Sequence, residues 1–181
     1  QGYWSEARSF PSAVALHGGR LSHAGGGTVF LSVADAYENF DATTIGDAGP
    51  IIKTLGSGPV DAIRFLISKM RLLIGTVGSD LAMVSSTQDE GLTPTNSNAR
   101  SFSDEGAANL RAIRLDQRAI HMQRSNRRLL AAGPGQTDYE TSDLTLLVPD
   151  LLAAGVVSIA VQRERDTRIH CVLANGTVAI L

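Results

Sequence analysis

The side chains of this chain whose types could do chemistry are few and scattered. His17, His23, His121 and His170 are each able in principle to act as a base or a metal ligand. Only His17 and His23 are close, on either side of a glycine pair. No cysteine and no nearby carboxylate would complete a zinc shell around them. Gly25-Gly26-Gly27 has the composition of a phosphate loop, but no Lys-Ser/Thr follows it and no helix-forming stretch begins there. A tight strand corner explains it better. Asp138, Glu140, Asp143 and Asp150 are spaced too loosely for a calcium loop and lack its central glycine, so they read as a solvated loop. No nucleophile, base and orienting group fall into a triad or elbow pattern. The expectation is a protein that is not an enzyme, with no catalytic, cofactor-binding or metal-binding residues and no cofactor.

One dense cluster remains, and it is basic. Arg111, Arg114, Arg118, Arg124, Arg127 and Arg128 fall within eighteen residues, opposed only by Asp116. Such a patch could contact DNA phosphates, or form a salt-bridged subunit interface with acidic loops such as Asp104-Glu105 or Asp138-Glu140. The interface reading is preferred. Near the start, Tyr3, Trp4 and Phe10 precede Pro11, with Arg8 the one base among them. Packing under a sheet edge fits them better than a stacking platform for bases.

The elements that must position these residues form a repeat. Val14 to His17 and Arg20 to Ala24 flank Gly18-Gly19, the two-residue connection that strand twist prefers in a hairpin, and Thr28 to Ser32 follows the second glycine cluster. Three further copies follow, at Val60 to Ser86, Leu110 to Gly133 and Val156 to Leu181. The last contains Asn175-Gly176, the strongest short hairpin signal in the chain. In the second copy, AIRFLISKMRLLI also scores as a helix, and agreement with the other copies decides for strands. The basic residue that opens the second strand recurs at Arg20, Arg71, Arg118 and Arg168, and a third-strand marker at Val29, Leu81, Leu129 and Val178. Both give a spacing of about 50 residues, in the range of propeller blades. Fourth strands are expected at Pro50 to Leu55, Asn98 to Ser103 and Tyr139 to Leu144.

The fold class is therefore all-β: a β-propeller-like array of about four antiparallel blades, at 13–59, 60–109, 110–155 and 156–181, with 1–12 an incoming arm or strand. A closed propeller usually needs more than four blades, so the array reads as a portion of a larger one. The chain opens on Gln1 and closes on the apolar run Val178 to Leu181, which fits a segment of something longer or a strand that pairs with a neighbour. A β-sandwich with repeated hairpins is the alternative.

Composition sets wider bounds. At 181 residues and 43% hydrophobic, the chain can bury one core. A net charge of −2 argues against a dedicated nucleic-acid binder with a basic face. The single cysteine, Cys171, cannot form an internal disulfide and sits in an apolar run. No apolar run approaches the roughly 20 residues of a membrane helix, and no charged-then-apolar leader is present, so no membrane segment is expected.

Particular residues also carry a resemblance. ARSFPSAVALHGGRLSHAGG, followed by TVFLSVADAYENFD, sets an aromatic-Pro pair before an apolar strand, then a turn, an Arg-Leu pair, a glycine cluster and an Asn-Phe stretch. GLTPTN at 91–96, SDLTLLVPDLL at 142–152 and QRERDTRIHCVLANGTVAIL at 162–181 follow in order. This series resembles the phage stabilisation or tail nozzle proteins of tailed bacteriophages, across nearly the whole chain. Val161 stands where that family's pattern carries an aromatic, and 121–128 is more basic than the pattern. The resemblance implies a β-propeller-containing structural subunit of the virion tail with no catalytic role. Copies of it would form a ring around the DNA conduit below the portal and adaptor. The implied partners are other copies of itself, neighbouring adaptor, portal or tail-fibre proteins, and double-stranded DNA in transit. Contacts would be carried by edge strands and by the loops of 42–59, 86–109 and 133–155. A propeller-type glycan-binding or hydrolase module with a loop-built pocket is the runner-up, and a generic adaptor propeller, weakened by the lack of Trp-Asp blade endings, is the third reading.

Overall fold

The computed structural model describes residues 4–6, 10–56, 58–87, 90–136 and 138–181. Tyr3 and Arg8, named above, lie outside them. Each of the four copies folds into its own antiparallel sheet with strands in chain order. Sheet 1 contains β1 (Ala13–His17), β2 (Arg20–Gly25), β3 (Thr28–Leu31) and β4 (Ile51–Thr54). Sheet 2 contains β5 (Ile63–Ser68), β6 (Leu72–Thr76), β7 (Asp80–Val84) and β8 (Asn98–Ser103). Sheet 3 contains β9 (Ile113–Leu115), β10 (Arg118–Met122), β11 (Leu129–Pro134) and β12 (Tyr139–Asp143). Sheet 4 has three strands, β13 (Val156–Gln162), β14 (Arg168–Leu173) and β15 (Val178–Ile180). The described residues contain no α-helix; a single 3-10 turn, Pro59–Asp61, leads into sheet 2.

Turn chemistry explains the corners. Gly18 and Gly19 both take positive φ, 55° and 70°, and close the β1–β2 hairpin with His17 opposite Arg20. That double positive φ is the conformation of a type I′ turn. The Asn175-Gly176 corner is built otherwise. Only Gly176 has positive φ, and the Asn175 side chain accepts the Thr177 N–H at 3.1 Å, so the connection is the longer 174–177 rather than a two-residue turn. At the β2–β3 corner a Cβ on Gly27 would lie 1.9 Å from the Gly56 carbonyl oxygen, a close approach that only glycine permits.

The sheets stack face to face in sequence order, each seam burying its own apolar cluster. Leu31, Ile51, Ile63, Leu66, Leu72 and Ile74 fill the seam between sheets 1 and 2. Phe65, Ile67, Leu73 and Tyr139 meet a set of alanines between sheets 2 and 3. Ile120, Met122, Leu129, Leu152, Ile169 and Cys171 fill the third seam. Sheets 2 and 3 are thus covered on both faces. The helix-like apolar run AIRFLISKMRLLI is one consequence: it spans β5 and the start of β6, and β6 is buried at every position, as a strand between two other layers must be. Two backbone bonds and one side-chain bond fasten each new repeat to its predecessor. Ile63 N–H donates to the Gly26 carbonyl at 2.7 Å, Ala107 N–H to the Thr76 carbonyl at 2.7 Å, and Asn126 Nδ2 to the Val156 carbonyl at 2.7 Å.

Candidate functional site: a shared groove and its rim

The first strand of every sheet contributes to one groove of about 1020 Å³, walled by residues 12–15, 64–67, 109–114, Ile159 and Val161. β1 runs beside β5, and β9 beside β13. Apolar alternation on these strands supplies the walls, and Arg64, Arg111 and Arg114 supply the charge; no carboxylate lines the groove.

One end of the groove is a rim made by the corners between first and second strands, and each corner touches the next. His17 Nδ1 hydrogen-bonds with Ser68 Oγ at 2.9 Å, joining the sheet 1 and sheet 2 corners. Lys69 Nζ donates to the Asp116 carbonyl, and Arg163 Nη2 donates to the Arg114 carbonyl at 2.7 Å. Three cations, Lys69, Arg114 and Arg163, therefore gather about Asp116, whose carboxylate is 3.9 Å from Arg163 Nη1. Lys69 has its pKa lowered by partial burial and then by the like charges of Arg114 and Arg163, against the opposing pull of Asp116. Positive charge is in excess here, which suits contact with an anion or an acidic surface.

His17 and Ser68 are a base and a hydroxyl at bonding distance, the minimum for a nucleophile pair. No carboxylate is bonded to His17 among the described residues, and burial lowers its pKa. The pair acts as a tie between sheets. His23 lies opposite Val14 and packs its ring on Phe40 at 5.5 Å between centroids, so the hairpin does not bring His17 and His23 together. His170 hydrogen-bonds with Gln162 at 3.1 Å. No cluster of three or more His, Cys, Asp or Glu side chains able to hold a metal ion occurs among the described residues. Cys171 is fully buried, and burial pushes its thiol pKa up to about 11.

The basic cluster of 111–128 is not one surface. Arg111 and Arg114 face the groove. Arg118 reaches across sheet 3 to Ser142 Oγ at 2.9 Å. Arg124 and Arg127 are exposed in the corner that follows β10, not on a strand. Arg128 is held by its own chain, with Nε 2.8 Å from Asp143 Oδ2 and Nη1 3.0 Å from Glu105 Oε2. Two carboxylates of the segment read as a solvated loop are likewise occupied. Asp138 pairs with Arg71, which also lies over the Tyr139 ring, and Asp143 pairs with Arg128 and accepts from Thr145. Asp143 lies on β12 beside Arg128 of the same sheet, and Asp138, just before β12, meets Arg71 of sheet 2.

Two features escaped the residue-level reading. Arg20, 3% exposed, donates to the carbonyls of Ser32, Asp47 and Gly49 and so clamps the long 32–50 connection onto β2. Asp80 and His121 form a pair between sheets 2 and 3, with Oδ1 and Nε2 3.4 Å apart and each side chain 1% exposed. The four side-chain polar atoms of this pair make no hydrogen bond, and Phe65 packs on the imidazole with centroids 5.1 Å apart. An aspartate opening the apolar run DLAMV was the available signal. No protein-family model matches the chain, and a search of curated proteins gives no match.

Proposed function

We propose that this chain is a β-propeller segment of a bacteriophage tail structural protein, which works by assembling into a ring that lines or supports a DNA conduit. The observation that carries the reading is the shared groove: four sheets follow one another in chain order, and the first strand of each turns toward the same space. Radial repetition of small antiparallel sheets about a common axis is how propellers arrange their strands. The ordered series of motifs that resembles tail nozzle proteins supplies the biological setting, the virion tail. Excess positive charge at the groove and its rim fits a surface that meets acidic neighbours or passing phosphates. The functional surfaces are then sheet faces, edges and connections rather than a reactive cleft.

Electron microscopy of the purified chain, alone and with tail and portal-region proteins of its source, tests this. Ring-shaped particles, or incorporation into a tail assembly, are expected. A monomer that binds or cleaves a saccharide would overturn the reading in favour of a ligand-binding propeller module.

A further inference from the structure

Several arginines of the described chain are already committed to partners. Arg20 is buried and tied to backbone carbonyls. Arg71 and Arg128 are paired with Asp138, Glu105 and Asp143, and Arg168 with Asp166 at 3.0 Å. The cations where sheets 2, 3 and 4 meet at the rim are held differently. Lys69, at the β5–β6 corner, and Arg163, at the β13–β14 corner, reach to the backbone carbonyls of Asp116 and Arg114 on either side of the β9–β10 corner. A carbonyl fixes the position of a cation without cancelling its charge.

These groups keep donors in reserve. An ammonium has three N–H donors and a guanidinium five, and Lys69 and Arg163 each use one on a carbonyl. Arg163 Nη1 stands 3.9 Å from the Asp116 carboxylate, beyond hydrogen-bond reach. The Arg114 guanidinium makes no hydrogen bond and no ion pair among the described residues. Asp116 is the one carboxylate set among the three cations, and its side chain is 82% exposed. Elsewhere on the β13–β14 corner, Glu164 and Arg165 are both exposed and offset one another. Crowding of like charge is felt at Lys69, whose pKa is lowered by partial burial and then by Arg114 and Arg163.

We propose that Lys69, Arg114 and Arg163 form a binding site for a phosphate group, seated where the three sheets meet at the rim. Cations arriving from three sheets suit a tetrahedral oxyanion, which accepts hydrogen bonds from several directions, whereas a planar carboxylate is matched by a single guanidinium fork. Two of the three are positioned before the ligand arrives, which lowers the ordering cost of binding. A bound anion also relieves the repulsion among them, which the exposed Asp116 carboxylate offsets only in part. All four residues lie in one chain, so the site does not rest on ring assembly. The phosphate belongs either to a small molecule or to a nucleic-acid backbone, which share this chemistry.

Calorimetric titration of the whole chain with inorganic phosphate at low ionic strength provides the test. Saturable binding is expected, with sulfate competing and chloride acting only by screening. Lys69→Gln and Arg163→Gln should each weaken it about tenfold, the loss of one charge-assisted hydrogen bond. Arg127→Gln, an equal loss of charge at the β10–β11 corner, should leave it unchanged. Asp116→Asn should tighten binding, because it removes the competing carboxylate while asparagine tolerates the φ of 47° at that position. Should Lys69→Gln disturb folding, judged by circular dichroism, Asp116→Asn still reports on the site. No saturable binding, an equal loss in Arg127→Gln, or weaker binding in Asp116→Asn overturns the proposal. A short DNA duplex that displaces phosphate, and is itself bound less well by Arg163→Gln, places the phosphate in a nucleic acid; phosphate retained against the duplex places it in a small molecule. A glutamate peptide bound more tightly than either overturns the ligand class.

Discussion

The seam between sheets 1 and 2 and the seam between sheets 2 and 3 join similar sheets by different means. The first is filled by branched aliphatic side chains, Leu31, Ile51, Ile63, Leu66, Leu72 and Ile74, with the His17–Ser68 hydrogen bond at its rim. The second sets Phe65 and Tyr139 among Ala82, Ala107, Ala112, Ala119 and Ala132, and encloses the Asp80–His121 pair. Arg71 with Asp138, and Arg128 with Glu105 and Asp143, fasten its margins. Aliphatic burial is non-directional and mainly supplies stability. A buried pair of opposite polarity is directional and contributes little net stability, but it penalises misplacement of either partner. The first seam holds the sheets together, and the second fixes how they sit.

Breaking the buried pair should therefore give the largest effect. Asp80→Ala alone, or His121→Ala alone, leaves one polar group buried without its partner and is expected to cost about 3–5 kcal/mol. Replacing both, as Asp80→Val with His121→Leu, should recover most of that loss. Urea unfolding of the three variants measures it, and a double variant as unstable as the worse single one would contradict the assignment of the pair to positioning. In the aliphatic seam Leu72→Ala, at a position with no exposure, is expected to cost about 2–5 kcal/mol through lost burial and a residual cavity, and no second substitution nearby should restore it.

These differences also explain what could be read in the chain beforehand. The repeats expected to begin at 13, 60, 110 and 156 have their first strands from Ala13, Ile63, Ile113 and Val156, and the fourth strands at 50–55, 98–103 and 139–144 are β4, β8 and β12. The turn residues and the recurring Arg20, Arg71, Arg118 and Arg168 made this legible, because corners are specified locally. Inter-sheet chemistry was not legible. Asp80 and His121 are 41 residues apart, and nothing local announces that two seams will bring them face to face. For the same reason, closeness in sequence does not say where the members of the basic cluster point: a hairpin sends Arg114 to the groove and Arg128 to Asp143. Continuous apolar runs such as Ile63–Ser68 were ambiguous between helix and strand because both faces of sheet 2 are covered.

A smaller effect should come from Gly75 on β6. A Cβ there would lie 2.1 Å from the Phe65 ring, which is the ring packed on His121. Gly75→Ala must push Phe65 toward the imidazole, an overpacking expected to cost about 1–3 kcal/mol. If the second seam fixes placement as argued, pairing this change with Phe65→Leu should return more stability than Phe65→Leu loses by itself.

The smallest effect is expected at the margin of that seam, from the pH response of Asp143. Burial pushes its pKa up, but hydrogen bonds from Thr145 and Arg128, with the charge of Arg128, outweigh it and hold the carboxyl below the usual aspartate value. The folded state therefore favours the ionised form more than the unfolded chain does. The resulting stability is fully present above the unfolded value of about 3.9 and is lost as pH falls through the lowered folded value. Because the Arg128 side chain is 42% exposed, solvent screening limits the pair to roughly 0.2–1 kcal/mol. Asp143→Asn should flatten the acid limb of a stability-against-pH curve by that amount and leave the curve above pH about 6 offset by a constant. Added salt should shrink the difference between variant and parent, whereas the cost of Asp80→Ala, enclosed between two sheets, should hardly respond to salt. That contrast separates the ion pairs that border the second seam from the pair inside it.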